Sequence, residues 1–455
     1  MIAFWKFTKI PILLACVSFF LYWLFAYDLI RTEYTKLITL YSGLWIVFLF
    51  LLKYANNHIQ FLTVVAFLSR VIFIFAIPNL SQDFYRFIWD GRMILEGFNP
   101  YLYTPESFME SGGPFPINQA QELYTGMGEL NGSHFTNYPP LNQFCFILAA
   151  LVSNQHILGA VITLKLIIIA ADFGTFFFGK RLLKHLNLPV KQLFWYLLNP
   201  FIIIELTGNL HFEGVMIFFL IWSAYLLHLN KWKWAGVVFA LSVSVKLIPL
   251  LFLPLLLFYF VSTSKSMKQA LTKSIGFYSI VGLTTLLLFA PFFSLEFINN
   301  YTQTIALWFN NFEFNASIYY LAREIGYWFT GYNQIAIIGK ISPLFVVLFV
   351  IGLTFFRRKI TTEKLIVHML FAFSIYLFLS TTVHPWYIAT LLILSVFTRY
   401  KFPLVWSYFV ILSYVSYSAI GTSDKSENLY IIALEYSIVF SIFVYEVFLK
   451  NRFKT

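Results

Sequence analysis

The sequence predicts an all-α, polytopic transmembrane protein whose long extracytoplasmic loops carry surface helices. Hydrophobic residues make up 60% of the 455 residues and charged residues 11%, a balance that a soluble domain does not carry. Apolar runs such as 10–30, 59–78 and 335–356 exceed the roughly 18 residues that cross a hydrocarbon core as a helix. The unbroken run Leu247 to Val261 shows none of the apolar–polar alternation of a membrane β-barrel strand.

Along the chain, spans are expected at 10–30, 35–52, 59–78, 157–178, 191–207, 212–229, 234–247, 248–262, 272–291, 335–356, 363–382, 385–398, 402–420 and 429–449, about 13 to 14 in all. Lys6 and Lys9 precede the first run and no small-residue cleavage site follows it, so a retained helix is expected rather than a signal peptide. Lys53, the stretch Lys180 to Lys191, Lys231 with Lys233, Lys265 to Lys273, Arg357-Arg358-Lys359, Arg399 with Lys401, and the tail Lys450, Arg452 and Lys454 then fall on one face with the N-terminal lysines. By the positive-inside rule that face is cytoplasmic, and both termini with it. This alternation requires that the apolar helix from Pro139 to about Val152 does not cross, so it is expected to lie on the membrane surface or re-enter.

The opposite face carries two long connections, and loops this long in a compact protein are usually functional. The chain is expected to form one integral membrane domain over 1–455. Its first extracytoplasmic loop, 79–156, holds the catalytic segment and surface helices, and its second loop spans 292–334. Asp83, Asp90, Glu96, Glu106, Glu110, Glu122 and Glu129 make the first loop acidic. Cys16 and Cys145 lie in apolar surroundings without metal-ligand spacing, which argues against a disulfide framework or zinc site. The net charge of +11 sits in connections between helices, so no nucleic-acid partner is implied. An ATP-driven enzyme is also disfavoured, since no Gly-rich phosphate loop ending in Gly-Lys-Ser/Thr appears.

The stretch Ser81-Gln-Asp-Phe-Tyr-Arg-Phe-Ile-Trp-Asp-Gly-Arg-Met-Ile-Leu-Glu-Gly-Phe-Asn-Pro-Tyr101 carries the densest chemistry. In a helix, Asp83, Arg86 or Phe87, and Asp90 share one face. A carboxylate there can take a proton from a sugar hydroxyl, and a guanidinium can hold a phosphate through paired donors. The structural alternative is a capping Asp83 beside an exposed Arg86–Asp90 pair of little energetic weight.

Asp-x-x-Arg-[aromatic]-x-Trp-Asp-Gly followed by Gly-Phe-Asn-Pro-Tyr resembles the first external loop of GT-C superfamily glycosyltransferases. It is similar in particular to bacterial polyprenyl-phosphate-mannose-dependent mannosyltransferases and the related GPI-anchor mannosyltransferase. Tyr138-Pro-Pro-Leu, Asn199-Pro with His211-Phe-Glu-Gly, Lys246-Leu-Ile-Pro-Leu and His384-Pro-Trp-Tyr are similar to later elements of the same family. The resemblance implies a polyprenyl-phosphate sugar donor, a glycan or lipid acceptor, inversion at the anomeric carbon, and an external-loop Asp as base. Carried over, the base falls on Asp83, with Asp90 the alternative because the Asp-x-Asp version of some relatives is absent. Three spans before the catalytic loop, where many members have one, are a further departure.

Independently of the resemblance, the predicted topology brings His211, Glu213, Lys246 and His384 to the side of Asp83, and ionisable groups at apolar helix ends either snorkel or line a functional cavity. Arg86, Lys246 and His384 are the candidate donor-phosphate ligands. Trp89, Tyr101, Tyr138, His211, Glu213, Trp386 and Tyr387 are the candidate acceptor or sugar contacts, although core or interfacial packing is the favoured reading for aromatics such as Trp89, Tyr101 and Trp386 taken singly, and a structural hydrogen bond an equal one for His211. Trp308 and Tyr319 also belong to the aromatic candidates. Arg70, Lys165, Asp172 and Glu205, inside predicted spans, need partners. No redox cofactor is implied, and a divalent metal bridging the phosphate and a carboxylate ranks below the cationic side chains. The sequons at Asn131 and Asn315 carry no functional weight. The competing class is a membrane transporter or lipid flippase, which should show two repeated halves with ionisable groups near the midplane. No repeat is visible, and a bacterial inner membrane with a periplasmic active site is expected.

Overall fold

The structure, a computed structural model, describes residues 2–310, 312–355, 360–417 and 427–450, with the side chains of 2–8 and 308–310 outside the description. The basic cluster Arg357-Arg358-Lys359, the tail residues Arg452 and Lys454, and the side chains of Lys6 and Trp308 therefore lie outside the described residues. What is described is helical, apart from one parallel bridge between Phe314 and Thr382.

Among the described residues, seven helices are long and apolar enough to cross a membrane: Lys9–Tyr27, Tyr34–Tyr54, Ile157–His185, Met267–Phe292, Ile335–Phe355, Thr362–Leu379 and Leu429–Leu449. An eighth span is counted if Pro200–Gly208 and Glu213–His228, bent by 114°, are one broken helix. The shorter apolar helices are Ile59–Val71, Pro140–Val152, Trp232–Val245, Ile248–Thr263, Pro385–Val396 and Phe402–Tyr417. The protein is thus polytopic: the seven long helices, the two halves of the bent pair and five of the shorter helices answer to the about 13 to 14 runs expected from hydropathy, the shorter ones without the length of a full crossing. The continuous apolar run 234–262 is divided at Lys246, which adopts extended backbone (φ −146°, ψ 141°), and Pro249 follows in the next turn. At 1.5 Å per residue, a 14-residue helix rises about 21 Å, short of the roughly 30 Å core.

Residues 79–156 hold four helices, Asp83–Leu95, Pro105–Glu110, Ala120–Gly132 and Pro140–Val152. The first lies directly on the last. A methyl group at Gly91 would meet the Phe146 carbonyl oxygen at 2.3 Å, so only glycine allows this approach. Phe87 stacks on Phe146 at 4.6 Å between ring centroids, and Phe212 meets both rings edge-on. Arg92 ties the segment together, donating to the carbonyls of Asn118 and Gln155, each at 2.6 Å.

The ionisable residues inside the helical core have partners, as burial demands. Arg70 donates from Nε to Asp172 Oδ2 at 2.6 Å and from Nη1 to the carbonyls of Ala66 and Leu197. Lys165 donates to the carbonyls of Phe73 and Ala76, beyond the end of the Ile59–Val71 helix. Glu205 lies on the broken helix and accepts the Tyr414 hydroxyl. After Gly208 the chain turns through Leu210 at φ 63°, and the Asn209 side chain accepts the Leu80 backbone N–H at 3.2 Å. This break sets Glu213 and His211 beneath the start of the Asp83 helix. Cys16 is exposed, Cys145 is buried, and neither is in a disulfide.

Candidate active site

A cavity of about 770 Å³ opens where the first residue of the Asp83–Leu95 helix, the end of the Trp232–Val245 helix and the start of the Pro385–Val396 helix converge. Of the candidates named from sequence, Asp83, Arg86, Tyr138, Lys246, His384, Trp386 and Tyr387 line it. These residues come from four distant stretches of chain. The position capping the helix is Gln82, not Asp83, and Gln82 makes no side-chain cap bond. The Asp83 carboxylate instead receives Asn131 Nδ2 at 3.4 Å.

Charges around the cavity are arranged in pairs. Arg86 donates from Nε to Asp90 Oδ1 at 2.7 Å and from Nη1 to the carbonyls of Asn131 and His134, while Nη2 is buried without a partner. Lys246 Nζ lies 2.8 Å from Glu213 Oε1, with Glu213 wholly buried and Lys246 reaching the cavity. Burial pushes the Asp83 carboxyl above the usual carboxylate range, against the pull of the Lys246 charge and the Asn131 hydrogen bond. A carboxylate poised this way is a better proton acceptor than an exposed one. Burial, with the Lys246 charge beside it, pushes His384 down to about 3, so its ring is neutral and can donate only one hydrogen bond.

Six described candidates lie outside the cavity wall. Asp90 is fully buried, held by Arg86 and by Gln143 Nε2 at 3.1 Å. It shares a helix face with Asp83, but seven residues along a helix is about 10.5 Å, which carries it below the cavity floor. Trp89 packs against Phe108, and Tyr101 is buried among Phe292, Phe297 and Tyr301 with its hydroxyl donating to the Tyr138 carbonyl at 2.6 Å. Glu213 stands behind Lys246. His211 stacks on Trp386 with centroids 3.6 Å apart, and Trp386 stacks on His384 at 4.5 Å, so three rings form one pile in which Trp386 and His384 line the cavity and His211 lies behind them. Tyr319, the other described aromatic candidate, donates its hydroxyl to Glu313, away from the cavity.

Sequence reasoning missed Arg31, Asn131, His134, Phe312, Phe314, Tyr414 and Tyr417, all in the wall. Only Asn131 and Phe314 sat near anything singled out. Phe314 belongs to the second long loop, and its backbone pairs with the segment before His384: Phe314 N–H donates to Thr381 at 3.1 Å and Val383 N–H to Phe314 at 2.8 Å. The Thr382 hydroxyl adds a bond to the Phe312 carbonyl at 3.0 Å. Next to it, Asn315 is fully buried and bonded to Glu435, so this sequon is closed to modification in the folded chain. Among the described residues no three His, Cys, Asp or Glu side chains are grouped so as to hold a metal ion.

A family model described as Alpha-(1->6)-mannopyranosyltransferase, N-terminal domain, matches residues 18–262. Over 183 residues the chain is 28% identical to the Alpha-(1->6)-mannopyranosyltransferase A of Corynebacterium glutamicum. That stretch covers 40% of this chain and 35% of the relative, so the match spans about a third of the relative's length. The matched residues include the Asp83–Leu95 helix, the broken helix with Glu213, and Lys246. With more than half of its length inside the family model, the chain belongs to the alpha-(1->6)-mannopyranosyltransferase family.

Proposed function

We propose that the protein transfers a hexose, mannose in the first place, from a polyprenyl-phosphate sugar to a glycan or lipid acceptor on the extracytoplasmic face. Family membership supports the mannosyl group. The observation that carries the reading is the convergence of Asp83, Arg86, Lys246 and His384 on one cavity. In the proposed step the Asp83 carboxylate takes the proton of an acceptor hydroxyl as that oxygen attacks the anomeric carbon. The bond from that carbon to the phosphate oxygen breaks, its electron pair leaves with the polyprenyl phosphate, and the configuration inverts. Lys246, and Arg86 through its unpartnered Nη2, offset the charge that grows on the leaving oxygen, and His384 supplies a neutral donor. No metal is assigned to the step, so turnover should persist in excess chelator.

The lysine-rich connections support cytoplasmic termini and a site on the periplasmic side of a bacterial inner membrane. The charges that line the cavity, Asp83 and Lys246 among them, lie at helix ends, which favours transfer over transport. The test uses purified protein in nanodiscs with polyprenyl-phosphate [¹⁴C]mannose and a soluble mannoside. Label should pass to the mannoside in the wild type and not in Asp83→Asn. Movement of the intact lipid-linked sugar between leaflets, with no transfer, would replace this function with that of a flippase.

A further inference from the structure

We infer that Arg31, Tyr414 and Tyr417 form an acceptor subsite that takes a pyranoside residue in the cavity that holds Asp83. This rests on the proposed transfer for the identity of the ligand, but its geometry stands independently. Arg31 comes from the connection between the first two long helices, and all three residues line the cavity. The Arg31 guanidinium lies over the Tyr417 ring at 3.3 Å from its centroid, an arrangement that fixes the plane of the fork. Its Nε is buried and has no hydrogen-bond partner. Among the described residues no carboxylate forms an ion pair with it, and the acids nearest in sequence, Asp28 and Glu33, are both engaged by Lys36. A buried donor left open in a cavity wall is unfavourable unless a ligand meets it.

Tyr414 supplies the complementary polarity. Its hydroxyl lies 2.9 and 3.1 Å from the two carboxylate oxygens of Glu205. The proton is therefore committed to Glu205, and the phenol oxygen is left to accept. Glu205 itself sits on the π-helical turn of the broken helix, a distortion that proteins keep mostly at functional sites. An open guanidinium N–H, an accepting phenol oxygen and a tyrosine ring together match the hydroxyls and apolar face of a pyranose.

The assignment to the acceptor follows from where the charges stand. Lys246 Nζ lies on Glu213 and 5.7 Å from the Tyr138 ring centroid, whereas Arg31 lies on the Tyr417 ring and Tyr414 bonds Glu205, so the two cations stand at different parts of the same wall. Inverting displacement needs the nucleophile and the leaving group on opposite faces of the reacting sugar, with the base on the nucleophile's side. In the proposed step Lys246 and Arg86 meet the leaving phosphate, which leaves Arg31 and the two tyrosines, elsewhere in the same wall, for the acceptor.

The experiment measures binding of methyl 6-O-α-mannopyranosyl-α-mannopyranoside to purified protein in nanodiscs, without donor, by saturation-transfer NMR. Undecaprenyl monophosphate binding is measured in parallel. Arg31→Gln should weaken the mannobioside by about tenfold, as expected for one lost charged hydrogen bond, and leave the monophosphate unchanged. Tyr417→Leu should do the same and carries the test if Arg31→Gln fails to fold. Unaltered mannobioside binding in the folded variant, a parallel loss of monophosphate binding, or no mannobioside binding by the wild type would overturn the subsite. A wild type that binds the mannobioside through Arg31 yet transfers nothing from polyprenyl-phosphate mannose would sink the donor assignment and leave the subsite standing.

Discussion

Lys246 reaches the cavity with its ammonium 2.8 Å from a carboxylate, Glu213, that has no exposed surface at all. The pair makes the single variant Lys246→Met ambiguous, because it removes a cation from the site and also strands a buried anion, which costs about 3 kcal/mol or more. Lys246→Met combined with Glu213→Gln removes both charges. The double variant should regain most of the melting temperature lost in Lys246→Met. If Lys246 meets the leaving phosphate, single-turnover transfer should nonetheless stay about 30- to 1000-fold below wild type, equivalent to roughly 2 to 4 kcal/mol. Transfer restored along with stability would reduce Lys246 to the partner of Glu213.

Asp83 and Asp90 should separate cleanly. Asp83→Asn is expected to lower kcat by about 10²- to 10⁴-fold, the usual worth of a general base, with an unchanged melting temperature. Asp90→Asn should do the reverse. It disturbs the buried bond to Arg86 and should lower stability, while the chemistry in the folded fraction survives. Kinetics and thermal unfolding of both variants in detergent decide the assignment, and an active Asp83→Asn would sink it.

The pH profile carries its own sign. A base works deprotonated, and burial raises the Asp83 pKa above the ordinary 3.8, so kcat/KM should fall as pH drops through that raised value. His384, held at about 3, is neutral over the same range and contributes no limb there. The Asn131 hydrogen bond pulls the Asp83 pKa down, hence Asn131→Ala should move the acid limb to higher pH. A limb that stays in place or moves the other way would show that a different group titrates.

Gly91→Ala should destabilise without touching the cavity. The added methyl would press on the Phe146 carbonyl, and overpacking of this kind costs about 1 to 3 kcal/mol. The melting temperature should drop while the KM for donor and acceptor in the folded fraction stays put.

Orientation is tested by labelling. In a background lacking Cys16 and Cys145, a cysteine at the exposed Ser107 should react with an impermeant maleimide from outside intact cells, and one at the exposed Lys268 should not. Labelling of Lys268→Cys with protection of Ser107→Cys would invert the assigned face.

How far this site could be read without coordinates depends on the kind of signal each residue leaves. Lys246 and His384 stood out because charged or polar groups at the ends of apolar runs are costly, and the cavity indeed forms at those ends. The face of the Asp83 helix was harder. From Phe84 to Met93 every residue but Tyr85 is buried, so no polar stripe separates Trp89, which faces the core, from Arg86, which faces the cavity. Hydropathy divides 234–247 from 248–262 where the backbone breaks at Lys246, but it does not show that several runs, Trp232–Val245 among them, form helices shorter than a full crossing. Arg31, Tyr414 and Tyr417 left no trace because an arginine in a short turn and two tyrosines among 28 become notable only when the fold sets them together.

The backbone pairing of Phe314 with the segment before His384 has a consequence for how molecules get in and out. Two walls of the chamber, one from the second long loop and one bearing the histidine and tryptophan, are riveted by the two main-chain bonds and the Thr382 hydroxyl. Moving either wall alone would break these bonds. The polyprenyl chain of the proposed donor would then enter on another flank, where Leu247, Ile248, Leu251 and Ile305 line the cavity with apolar side chains.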